Sequence, residues 1–157
     1  MKNKKIASLA RLKKILTQDK KRKVVFTNGC FDILHVGHIK YLAQARQKGD
    51  LLVVGLNSDL SVKKIKGIDR PINTQNDRAE VLAALESVDF VVIFNEDTPL
   101  KLIEAIKPHV LVKGGDWKKD EIVGSAQVLS RGGKVFVIPY VKNRSTTGLI
   151  KKIQKNR

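Results

Sequence analysis

Two imidazoles three residues apart, His35 and His38, close the segment Thr27-Asn28-Gly29-Cys30-Phe31-Asp32-Ile33-Leu34-His35-Val36-Gly37-His38. If a helix starts near His35, both rings stand at its first turn, where free backbone N–H groups and the positive end of the dipole favour anions. Gly37 between them removes a side chain and lets a ligand approach the backbone closely. The chemistry this suggests is phosphate binding. The segment carries neither G-x-x-x-x-G-K-[ST] nor G-x-G-x-x-G, so the two common glycine-rich phosphate devices are absent. A metal shared with Cys30 is the competing reading. Zinc needs three or four ligands at recognisable spacing, and the remaining histidine, His109, stands beside Pro108 at the start of another apolar run. No metal site is expected. Near the other end, Ser145-Thr146-Thr147 opens the final helical pattern with Arg144 before it. Taken alone these hydroxyls read as an ordinary N-cap, although hydroxyls and an arginine also suit phosphate.

The elements that must position these residues follow from hydrophobic periodicity. Val24 to Thr27, Leu51 to Leu56, Phe90 to Phe94, Val110 to Val112 and Val135 to Ile138 are short, continuous, β-branched runs, as buried strands require. Helical spacing links Ile39, Leu42, Ala43 and Arg46; Arg78, Val81, Leu82 and Leu85; Leu100, Ile103 and Ile106; Ile122, Ala126 and Leu129; and Leu149, Ile150 and Ile153. An amphipathic helix over residues 8 to 18, capped by Ser8, precedes the first strand. Five strands with crossover-length connections predict a doubly wound, parallel α/β sheet covered on both faces. Ligands bind such sheets outside the carboxyl ends of the strands. Asn28 to His38, Asn57-Ser58-Asp59, Lys113 to Trp117 and Lys142 to Thr147 all fall there.

The twelve-residue segment ending in H-x-G-H resembles the nucleotidyltransferase superfamily of cytidylyltransferases and adenylyltransferases, and Ser145-Thr146-Thr147 resembles its S-T-T at the start of the last helix. Lys113-Gly114-Gly115-Asp116-Trp117 and Lys66-Gly67 with Arg70-Pro71 resemble segments of the heptose 1-phosphate adenylyltransferases. The resemblance runs from the first helix to Lys152. It implies a Rossmann-like nucleotidyltransferase fold that joins ATP and D-glycero-D-manno-heptose 1-phosphate into ADP-heptose and pyrophosphate. His35, His38 and Lys66 are its implied catalytic residues. It assigns the nucleotide to Asn28, Gly29, Cys30, Phe31, Gly37, Lys113, Gly115, Asp116, Arg144, Ser145, Thr146 and Thr147. The sugar phosphate falls to Asp32, Asn57, Asp59, Lys63, Arg78 and Trp117. Asp32 keeps several readings: it orients a histidine or Lys66, meets the sugar phosphate through water, or caps a turn. Asn143-Arg144 departs from the pattern, where glycine and a small residue or cysteine are commoner. Mg2+ is expected with the ATP, and no protein-only cage is visible. A cytidylyl or adenylyl transfer to glycerol phosphate or pantetheine phosphate is the alternative.

Composition bounds the rest. At 157 residues the chain is expected to be one nucleotidyltransferase domain over 1–157, with no kinase domain, so that another chain phosphorylates the sugar. The net charge of +16 points first to a nucleic-acid-binding module. Its distribution argues otherwise. Residues 1–23 hold ten Lys or Arg against Asp19, residues 142–157 hold six and no acid, and the middle nets only +1. Aromatic residues make up 5%, too few for a base-stacking platform, so small-molecule partners are expected rather than nucleic acid. A single cysteine and the lack of any apolar run near 20 residues suit a cytoplasmic protein without a membrane span. A homo-oligomer is left open.

Overall fold

The structure is a computed structural model that describes residues 3–142 and 144–155. Asn143, one of the departures noted above, lies outside the described residues. The chain runs α1 (Leu9–Gln18), β1 (Val24–Gly29), α2 (Val36–Arg46), β2 (Leu51–Asn57), α3 (Asp59–Lys66), α4 (Gln75–Ala83), β3 (Phe90–Phe94), α5 (Leu100–Ile106), β4 (Val110–Gly114), a 3-10 turn (Lys119–Glu121), α6 (Ser125–Ser130), β5 (Lys134–Ile138) and α7 (Thr146–Lys155). All five strands are parallel, in the order β3-β2-β1-β4-β5. The winding direction reverses between β1 and β4, so the crevice that can admit a ligand opens at their carboxyl ends.

Alternate strand residues feed two cores. Phe26, Val53, Val92 and Leu111 join Leu12, Leu102, Ile103 and Val128 beneath α1, α5 and α6. On the opposite face Val25, Val54, Val91 and Val112 join Leu42, Ala45, Ala79 and Leu82 of α2 and α4. Burial on both faces is why these strands read as continuous apolar runs. Before α1, the backbone of Lys5 and Ala7 pairs with Val91, covering the β3 edge. No helix among the described residues is long and apolar enough to cross a membrane.

Three boundaries differ from the sequence expectation. The helical unit α3 had no strong apolar period; Ser58 starts it by accepting the Ser61 N–H. Ile122 precedes α6 because Gly124 adopts φ +86° and the helix begins only after it. Leu85 follows α4 rather than belonging to it.

Candidate active site

At the end of β1 the chain turns back sharply through Phe31, a non-glycine residue at φ +44°. A Cβ on Gly29 would come within 2.9 Å of the Phe31 ring, so the glycine permits this turn. His35 then caps α2, its Nδ1 accepting the Gly37 N–H at 3.1 Å. A ring accepting at Nδ1 carries its proton on Nε2 when neutral, which makes Nε2–H the donor available to a ligand. His38 stacks on it, with centroids 3.9 Å apart and planes 25° off parallel, and Phe31 meets His38 edge-on at 5.4 Å. Two cationic rings at that spacing repel strongly. Burial and the neighbouring His35 together push the His38 imidazole down to about 4, and burial with Arg144 lowers His35. The pair is therefore neutral near pH 7. Nδ1 of His38 is buried without a partner among the described residues.

The start of α7 docks beside this turn. Thr146 Oγ1 donates to the Ile33 carbonyl at 3.1 Å, and Ser145 Oγ accepts the Gly148 N–H at 3.0 Å. A Cβ on Gly37 would lie 2.9 Å from the His35 ring and 3.4 Å from Arg144 Cβ, so the glycine also lets Arg144 close on the histidines. Thr147 and Arg144 are exposed. Across the reversal point, Lys113 Nζ on β4 reaches Asn28 Oδ1 on β1 at 3.4 Å, and lies 6.0 Å above the Trp117 ring. Burial lowers the Lys113 ammonium, opposed by Cys30 and aided by Lys66. Burial raises the Cys30 thiol, with Lys66 the leading opposing charge. Lys66, exposed at the end of α3, lies close enough to act electrostatically on both Cys30 and Lys113. Gly115 turns at φ +115° beneath Tyr140, while Asp116 and Lys63 are exposed without a bonded partner among the described residues. This open set is cationic and rich in N–H and O–H donors. It can hold a polyphosphate and neutralise charge that develops at a phosphorus centre.

Four residues that the resemblance gives to the sugar phosphate have their side chains bonded within the protein. The Asp32 carboxylate is almost fully buried and accepts from Arg70 Nε at 2.7 Å and from the backbone N–H groups of Ile72 and Asn73 at 2.9 Å. Burial alone would raise this carboxyl; the Asn73 and Ile72 amides and Arg70 outweigh it and hold it below the usual range. Its oxygens are spent on the 70–73 loop rather than turned to a ligand. Arg78, with a side chain 0% exposed, donates to the carbonyls of Cys30, Asn57 and Asn73 and to Asp59 Oδ1, at 2.6 to 3.1 Å. Asn57 is buried and donates to Ser61 Oγ. Arg78, Asp59 and Asn57 therefore lace the ends of β1 and β2 to the loop before α4. The free acceptors at strand ends need such partners once buried.

The family model described as cytidylyltransferase-like matches residues 26–152, which take in both histidines, Lys113 and the S-T-T. The chain belongs to the cytidylyltransferase-like family. Among its relatives, the "Bifunctional protein HldE" of Campylobacter concisus is 62% identical over 150 residues, covering 96% of this chain and 31% of that protein. The protein of the same name from Geotalea uraniireducens is 56% identical over 96% of this chain and 31% of its own length. The chain thus spans about a third of these relatives. A lipopolysaccharide core biosynthesis protein from Thermoplasma volcanium superposes with a TM-score of 0.63 at 32% identity, covering 78% of this chain and 99% of that one. The pantoate-beta-alanine ligase of Francisella tularensis, at 17% identity and a TM-score of 0.60, shares the fold, over 96% of this chain and 78% of its own.

Within this cytidylyltransferase-like site, sequence reading missed Arg70, Asn73 and Tyr41 as supports. Tyr41 OH bonds to Thr27 Oγ1 at 2.6 Å and donates to the Val112 carbonyl at 3.3 Å, tying α2 to β1 and β4. Burial raises its phenol far above the usual range. The signal was available: a tyrosine hydroxyl on the inward face of a helix must find a partner.

Proposed function

We propose that the chain transfers the adenylyl group of ATP to D-glycero-D-manno-heptose 1-phosphate. An oxygen of the sugar phosphate forms a bond to the α-phosphorus, the α–β phosphoanhydride bond breaks, and pyrophosphate leaves with its electron pair. The acceptor is already a nucleophile, so alignment and charge neutralisation are the work left to the protein. The observation that carries this reading is the stacked His35–His38 pair at the first turn of α2, with Arg144 and the start of α7 closed upon it. In this proposal His35 Nε2–H, His38, Arg144 and the hydroxyls of Ser145, Thr146 and Thr147 hold the triphosphate. Lys66 meets the leaving or attacking phosphate. Asn28, Lys113, Gly115 and Asp116 frame the base and ribose, and Trp117 with Lys63 faces the sugar.

The described residues contain no group of three or more His, Cys, Asp or Glu suited to a metal, and Asp32 and Asp59 are engaged with arginines. In this proposal Mg2+ accompanies the nucleotide, bridging phosphate oxygens, as the reaction type leads one to expect. We place the reaction in the cytoplasm, where ATP and sugar phosphates meet. The high identity to the bifunctional HldE proteins supports the acceptor assignment. A pyrophosphate-release screen of sugar 1-phosphates, glycerol phosphate and pantetheine phosphate against ATP and CTP tests it. Heptose 1-phosphate with ATP should be fastest; preference for CTP with glycerol phosphate would overturn the acceptor while sparing nucleotidyl transfer.

A further inference from the structure

The opposite pole of the sheet, at the amino ends of β1, β4 and β5, carries a second cationic concavity. A cleft of about 370 Å³ is lined by Lys23, Lys107, His109, Arg131, Gly132 and Lys134, with Pro108 and Gly133 completing it. No carboxylate lines it, and none of its four cations enters an ion pair among the described residues. Asp50, close in the chain fold, turns its carboxylate to the backbone N–H of Lys23 at 2.7 Å.

The four cations and His109 are exposed, and three details give the cleft its form. His109 Nδ1 accepts the Val24 N–H at 3.0 Å, which leaves Nε2–H as the free donor of the neutral ring. The Gly132-Gly133 turn gives a surface of bare backbone: Gly132 sits at φ +75°, and a Cβ on Gly133 would strike Val128 and the His109 carbonyl within 2.8 Å. Lys107 ends α5 in the left-handed region at φ 53°, ψ 57°, where glycine is the usual residue and a lysine is strained. The amides of Gly132, Gly133 and Lys134 are all spent on Leu129, Val128 and His109 carbonyls. Side chains must therefore supply the recognition.

We propose that this cleft binds a small polyanion of the pyrophosphate class. Four cations and an N–H donor around bare backbone match clustered phosphate oxygens, and the volume suits a small molecule. No Phe, Tyr or Trp lines the cleft, so a nucleobase would find only the His109 ring and the Arg131 guanidinium to stack on.

Titration of inorganic pyrophosphate into the full chain, followed by residue-resolved amide NMR, separates this cleft from the active site. Gly132 and Gly133 report the one and Gly37 the other. Both sets should move saturably, and Arg131→Glu with Lys134→Glu should weaken the Gly132 and Gly133 midpoint tenfold or more while leaving that of Gly37 within twofold. Lys107→Gly, which relieves strain and so keeps the fold, should weaken the cleft midpoint about threefold by removing one charge. Shifts at Gly132 and Gly133 that are absent, that climb without saturation to about 20 mM, or that ignore both variants would overturn the proposal. So would tighter binding of polyglutamate than of pyrophosphate at the same amides, which would make the occupant a protein surface.

Discussion

Replacing Arg78 by Met discriminates a buried clamp from a substrate contact. The guanidinium serves three backbone carbonyls, those of Cys30, Asn57 and Asn73, and the Asp59 carboxylate, with no exposure of its own side chain. Methionine fills much of the same volume but removes the donor from the buried Asn57 carbonyl and the part-buried Cys30 and Asn73 carbonyls, at about 1 kcal/mol each. Asp59 is 35% exposed, so water screens much of its loss and the ion pair adds well under the 3–5 kcal/mol typical of a fully buried one. The expected total is about 3–4 kcal/mol. At a urea dependence of roughly 2 kcal/mol per molar, the unfolding midpoint should fall by about 1.5–2 M. Arg78→Lys should recover only a small part, because one ammonium cannot span four acceptors set by a planar fork. Urea unfolding followed by far-UV circular dichroism measures both variants. If Arg78→Met unfolds within about 1 kcal/mol of the parent while the Michaelis constant for the sugar phosphate rises, the arginine contacts substrate and the clamp is refuted.

His35→Ala and His38→Ala should each lower turnover about 10²-fold or more with little change in the Michaelis constant for ATP, since their donors act on charge that grows at the transition state; pyrophosphate release measures this. The depressed His38 pKa means the unfolded chain binds more protons between about pH 6.5 and 4, so stability should fall across that window as pH drops, by about 1–2 kcal/mol after solvent screening. Urea melts at pH 7.5 and 4.5 should show the drop, and His38→Gln should flatten it. Asp32→Asn removes the charge opposite Arg70 and should free the 70–73 loop, seen as faster amide exchange at Ile72 and Asn73; unchanged protection there would contradict the loop-holding role. Trp117→Ala should erode discrimination between heptose and hexose 1-phosphates while sparing the rate of the histidine-dependent step, read from initial rates at equal acceptor concentration.

The parallel sheet was legible because burial on both faces strips polar residues from the strands, as Leu51 to Leu56 shows. The motif turn was legible only in part: Gly37 reads in the sequence as an opening for a ligand, whereas a Cβ there would strike the His35 ring, and one on Gly29 would strike Phe31. Strand order was not, because every parallel pairing of such apolar runs satisfies the same pattern; the cap at Ser58 and the turn at Gly124 were equally silent in the periodicity. What the spacing of His35 and His38 could not reveal is that the rings stack and are both driven neutral, a consequence of burial beside Phe31 and of Arg144 arriving from the far end of the chain.

The engagement of Asp32 and Arg78 with the protein's own backbone has a general physical cause. Where parallel strands stop, carbonyls and amides of the emerging turns lose their ladder partners at the same rim where a ligand must bind. Two kinds of charged residue therefore collect there, those that meet the ligand and those that satisfy the rim, and both follow strands in the sequence. The two differ in what their heads can reach. Arg78 lies within a helix whose inward face also carries Ala79, Leu82 and Ala83, so its guanidinium is carried under the strand ends. Lys66 ends its helix and is exposed, which leaves its ammonium free for the crevice. An arginine at a core-facing helical position beside a strand end is better read as a backbone clamp, and a lysine at a helix terminus as a ligand contact. By that criterion Lys66 is a ligand contact and Arg78 a clamp, and the Arg78→Met measurement decides whether the criterion holds.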